Sequence, residues 1–141
     1  MKSQYEKKRL ITFDRIKIKS NYKYLLNTKV KFNEMFHSRS GEKIGIFYSS
    51  KDDINIPYNL YIAVSYIKQT LTLEFSSKIL KEKYPDLISR DTIKECLTNI
   101  NQLHICDIDV DSILSNGAIT SVDVTYDANL ILSDNLLNIL N

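Results

Sequence analysis

The most chemically suggestive stretch of this 141-residue chain is Ile119-Thr120-Ser121-Val122-Asp123-Val124-Thr125-Tyr126-Asp127. Alternate side chains of a strand share a face, so Asp123, Thr125 and Asp127 point one way and Val122, Val124 and Tyr126 the other. Aspartate is depleted in strands. Two carboxylates on one face offer hard oxygen ligands to Mg²⁺ or Mn²⁺, and such an ion would in turn hold a phosphate. Asp123 and Asp127 are therefore the candidate metal ligands. The competing reading is a solvated face whose last residue, Asp127, caps the strand.

Other clusters fit a metal less well. His104-Ile105-Cys106 places a histidine and a cysteine two apart, but a soft thiolate suits Mg²⁺ poorly, and a structural His104 is the simpler reading. Asp107-Ile108-Asp109-Val110-Asp111 begins like a calcium loop. It then has Ser112 where the loop needs Gly and Ala118 where it needs a bidentate Glu, so Asp111 reads better as the cap of a short helical turn. No glycine-rich phosphate loop or dinucleotide fingerprint is present, since the three glycines are isolated.

Charge is unevenly distributed. Residues 1–51 carry 13 Lys/Arg against 4 Asp/Glu, a net +9, whereas residues 52–141 carry 6 against 13, a net −7. A basic half suits phosphate contacts, although lysine-rich strands also arise as solvated faces and guarded sheet edges. Within it, Tyr22, Tyr24, Phe32 and Phe36 interleave with Lys23, Lys29, Lys31 and Arg39. That mixture matches a stacking and phosphate-binding surface for single-stranded DNA, so those four basic residues are the candidate DNA contacts. Aromatics placed in the core are the alternative.

The elements that must position these residues follow from periodicity. Leu10–Lys19 reads as a strand buried on much of both faces, with Lys43–Ser49, Asn59–Ile67, Thr70–Ser76 and Ile119–Tyr126 as further strands. The Lys68-Gln69 break predicts an antiparallel hairpin. Asn21–Asn27 reads as a polar-aromatic connection and Lys29–Phe32 as an ambiguous element. Lys78–Lys83 is a short helical turn stopped by Pro85. Ile93, Cys96, Leu97, Ile100 and Leu103 form one apolar stripe, which predicts a helix over about 90–103 with Ser89 as N-cap. Leu130–Leu140 is a candidate terminal helix. The expected fold is α+β: a mainly antiparallel sheet packed on one principal helix plus short helices, in a single domain spanning 1–141, with 1–9 as a flexible tail.

No apolar run approaches the ~18 residues of a membrane span, and the charged N-terminus does not resemble a signal peptide. The expectation is a cytoplasmic protein with no membrane partner and with Cys96 and Cys106 as reduced thiols. A homo-oligomer is compatible with the composition.

Three segments carry a family resemblance: Phe13-Asp14-Arg15-Ile16-Lys17-Ile18, Leu71-Thr72-Leu73-Glu74-Phe75-Ser76-Ser77-Lys78-Ile79-Leu80 and Ser121-Val122-Asp123-Val124-Thr125. Together with Tyr84-Pro85-Asp86-Leu87-Ile88-Ser89 and Asn99-Ile100-Asn101-Gln102-Leu103, they resemble the N-terminal part of phage and plasmid replication initiators of the filamentous-phage gene II/X type. The likeness spans roughly residues 10–127. It implies a rolling-circle-type initiator that nicks origin DNA through a tyrosine, helped by a metal on acidic residues. Asp123 matches the family's strand aspartate and Glu74 an acidic position. The nicking tyrosine region would lie beyond Asn141, so the chain is expected to supply scaffold and part of a metal/phosphate site without being catalytic alone. The Tyr5-Glu6-Lys7-Lys8 run is too easily accidental to stand in for it. The alternative is a non-enzymatic DNA- or protein-binding module of a mobile genetic element.

Overall fold

The computed structural model describes residues 11–124. Eight strands and two α-helices follow in chain order: β1 Phe13–Asn21, β2 Leu25–Thr28, β3 Asn33–Phe36, β4 Lys43–Ser49, β5 Leu60–Ser65, β6 Thr70–Ser76, α1 Ile93–Gln102, β7 Cys106–Ile108, α2 Val110–Asn116 and β8 Ala118–Val124. Six strands form one antiparallel sheet in the order β3-β4-β5-β6-β1-β8, and β2 and β7 pair as a separate ribbon. The architecture is α+β, as the sequence predicts.

Strict alternation accounts for the central strands. Leu71, Leu73 and Phe75 of β6 are fully buried while Thr70, Thr72 and Glu74 between them are not. Leu60, Ile62 and Val64 of β5 and Ile16 and Ile18 of β1 line the same inner face. That face is covered by α1, α2, the β2–β7 ribbon and the 3-10 segment Ser77–Asp86. The stripe Ile93, Cys96, Leu97 and Ile100 of α1 is buried in the resulting core. The helix begins at Ile93 with Thr92 as its N-cap, three residues later than predicted; Ser89 instead holds the preceding turn, its hydroxyl accepting from Asp91 N and its carbonyl from Ile93 N.

Several expectations need correction. β1 is buried on one face only. Its apolar residues fall out of phase because its pairing with β8 shifts register between Phe13 and Arg15, where Asp14 is the extra residue; a second shift, between Lys17 and Ile18, places its extra residue, Thr120, on β8. The first shift turns Phe13 inward while Arg15 stays outward. The β5–β6 hairpin turns over four residues, Tyr66 to Gln69, rather than over Lys68-Gln69 alone. Asp109, not Asp111, caps α2, accepting from both the backbone N and the hydroxyl of Ser112. β2 and β3 lie in or beside segments read as connection or ambiguous. The regions predicted as tail (1–9) and terminal helix (Leu130–Leu140) are outside the described residues.

Gly45 on β4 is needed for close approach. A Cβ there would collide with the Val64 carbonyl oxygen of β5 and meet the Met35 side chain at 2.6 Å.

Candidate functional site

The register defines the outer face row by row. Asn33, Phe47, Ala63, Thr72 and Lys19 lie side by side, and so do Ser49, Tyr61, Glu74, Lys17 and Ser121. A third row holds Ser76, Arg15 and Asp123. Among the described residues no helix packs across this face, in contrast to the inner one. Alternation thus leaves two aromatics, a cluster of cations and two carboxylates on the same accessible surface.

Phe47 and Tyr61 are diagonal neighbours on β4 and β5, with ring centroids 6.0 Å apart and planes tilted by 32°. Both are half-buried, so part of each ring stays accessible. β1, which carries Arg15, Lys17 and Lys19, lies two strand spacings from β5 and three from β4, about 10 and 14 Å.

Arg15 bridges three strands. Its Nη1 lies 2.5 Å from Glu74 Oε2 on β6 and its Nε 3.0 Å from Asp123 Oδ2 on β8. The guanidinium therefore sits between the only two carboxylates of the rows named above, and their charge is partly met. Lys17 and Lys19 form no ion pair among the described residues, nor do Lys51 and Lys78 beyond the Arg15 end of the sheet. On this face and at its Arg15 end, these lysines are the cations without an ion pair among the described residues.

A cavity of about 480 Å³ opens on this face between Phe47, Tyr61, Arg15, Glu74 and Lys51. A second, of about 570 Å³, lies in the β4–β5 connection, and a third, of about 320 Å³, holds Lys31 beside Tyr48 and Asp53. The connection is held by its own hydrogen bonds. Tyr48 Oη donates to Asp53 Oδ2 at 2.9 Å, and Ser50 Oγ donates to the Tyr58 carbonyl while accepting from Leu60 N. Burial, then the Asp53 contact, pushes the Tyr48 hydroxyl well above the ordinary tyrosine range.

The structure does not gather the four basic residues read from the sequence. Lys23 follows β1 and Arg39 sits in the β3–β4 turn, four strand spacings or roughly 19 Å apart across the sheet. Lys29 is paired with Asp107 at 3.3 Å, and Lys31 enters β3 at the end opposite Arg39. The accompanying aromatics scatter as well. Phe32 is buried against Tyr48, Tyr22 and Tyr24 pack on the core, and Phe36 is exposed.

Asp123 lies on the outer face, committed to Arg15, and Asp127 is outside the described residues. Among the described residues no three His, Cys, Asp or Glu side chains converge as a metal site. As the side chains stand, a cation between Glu74 and Asp123 would compete with the Arg15 guanidinium for the same oxygens.

His104 and Cys106 part company, one exposed and the other fully buried. Burial pushes the Cys96 and Cys106 thiols up to about 12, so neither is a ready nucleophile or ligand. Asp107, Asp109 and Asp111 serve different partners: Asn27 and Lys29, the α2 cap, and Lys94. The hydrogen bond from Asn27, then Lys29, holds the Asp107 carboxyl below its ordinary range.

Phe47, Tyr61, Lys17, Lys19 and Lys51 were not singled out by sequence. Their only signal is outward placement, which requires the strand register. Among the described residues no helix is long and apolar enough to cross a membrane. Comparison with family models, curated proteins and solved structures gives no match to this chain.

Proposed function

We propose that the chain binds single-stranded DNA on the outer face of its six-stranded sheet, as the N-terminal part of a replication initiator of the rolling-circle type its sequence resembles. The observation that carries this reading is the Phe47–Tyr61 pair beside unpaired lysines on an accessible sheet face. Sequence-tolerant recognition of a single strand needs those two ingredients: rings for bases to stack on, and cations that follow the phosphates. Each stacked base is worth about 1–3 kcal/mol, and lysine contacts add a counterion-release term that weakens with salt. Duplex DNA, whose bases are already stacked, would gain only the second term.

Arg15 contributes by neutralising Glu74 and Asp123, which would otherwise repel a phosphate passing over β1. A metal/phosphate role for Asp123 with Asp127 belongs to the same reading of the complete initiator. A cation there would hold a phosphate, and the Arg15 guanidinium would have to release Asp123 Oδ2 to it.

The test is fluorescence anisotropy with labelled oligothymidylate and with duplex of equal length, across a salt series. Preferential single-strand binding that falls linearly on a log–log salt plot is expected. Absence of single-strand binding at low salt would sink the proposal, and duplex preference would redirect it to pure phosphate contact.

A further inference from the structure

Resting on that reading, we propose that the bound strand turns over the Arg15 end of the sheet at Lys51 and seats a further nucleotide in the cavity of the β4–β5 connection. The cavity on the outer face and the cavity in the connection share two lining residues, Lys51 and Asn59, so they adjoin there. At about 570 Å³ the second cavity falls within the range of small-ligand sites.

Its chemistry suits one nucleotide. Lys51 stands at the junction and Lys78 further along, each without an ion-pair partner among the described residues, so successive phosphates have a cation each. The single carboxylate of the lining, Asp53, is occupied by the Tyr48 hydroxyl and Asn55 N. Ile56, Pro57 and Tyr58 supply apolar surface, and the Asn59 amide has no side-chain hydrogen bond among the described residues and is free to meet a base edge. Ile54 stands at the mouth 96% exposed, where a seated base would cover it. The wall is held in place by Ser50 and Asp53 before any ligand arrives, so little ordering cost opposes binding.

The test measures anisotropy of oligothymidylates from three to eight nucleotides over a salt series. It compares wild type, Lys78→Gln, Phe47→Ala and a control, Lys68→Gln, in the exposed turn at the opposite end of the sheet. Lys78→Gln should weaken the octanucleotide roughly three- to tenfold and lower its salt slope by about 0.7. The trinucleotide, satisfied by the outer face, should be unaffected. An unchanged slope for Lys78→Gln, while Phe47→Ala still weakens binding, overturns the second subsite and leaves the outer-face reading standing. Equal losses for Lys68→Gln and Lys78→Gln overturn it too, since the charge would then act diffusely. Failure of wild type to bind any of the oligonucleotides removes both.

Discussion

The inner and outer faces of the sheet are made by the same strands, residue by alternate residue, and yet they differ in every physical respect. Inside, β6 contributes Leu71, Leu73 and Phe75, all fully buried under α1 and its neighbours. Outside, the same strand contributes Thr70, Thr72 and Glu74, with Phe47, Tyr61, Lys17 and Lys19 beside them. A sheet stabilised by one covered face is free to carry an unrelated chemistry on the other. Stability and binding should therefore be separable by substitution.

The largest expected difference is in stability. Leu73→Ala on the inner face should cost about 2–5 kcal/mol in urea unfolding, whereas its outward neighbour Thr72→Ala should cost under about 1 kcal/mol. Similar losses at both positions would mean that the outer face is packed too. Binding should invert the ranking. Phe47→Ala and Tyr61→Ala should each lose about 1–3 kcal/mol of single-strand affinity, while Thr72→Ala loses little.

A pH titration sharpens the inner half of the comparison. Burial raises the Cys96 and Cys106 thiols from 9.0 to about 12. A group with a raised folded pKa gives stability that is complete below its unfolded pKa and is lost as pH rises towards the folded value. Stability should thus decline above pH 9, by on the order of 1 kcal/mol per thiol at pH 10. The Cys96→Ala/Cys106→Ala variant should decline less steeply. Parallel declines would place the thiols in contact with water.

The smallest effect expected is that of Arg15→Gln. Both its ion pairs are partly exposed, so the stability change should stay below about 1 kcal/mol. Affinity should nevertheless fall, and fall most at low salt, because Glu74 and Asp123 then face the phosphates unneutralised. A gain in affinity would show that Arg15 is not shielding the strand.

Legibility from sequence followed the same division. β4 and β6 have the bounds that β propensity and their flanking turn residues give, and the α1 stripe was plain from its 3–4 residue spacing. β2 and β3 escaped because each has four residues, most of them exposed, and their pairing is imposed by tertiary contacts. The outer face was hidden for a different reason. Ile44, Ile46, Phe47 and Tyr48 crowd β4 with apolar side chains, so nothing local marks Phe47 as outward. Charge points to the basic half, but Phe32 lies in the core with Tyr48, 5.8 Å between ring centroids. The aromatic pair on the outer face comes instead from β4 and β5.

The central claim, that the outer face is the nucleic-acid surface, is tested most directly by backbone NMR shifts on titration with an eight-residue oligothymidylate. The largest shifts are expected at Phe47, Tyr61, Thr72, Lys17 and Lys19, fading towards α1 and the β2–β7 ribbon. Shifts concentrated around Lys23, Lys29 and Arg39 with the sheet face silent would contradict it.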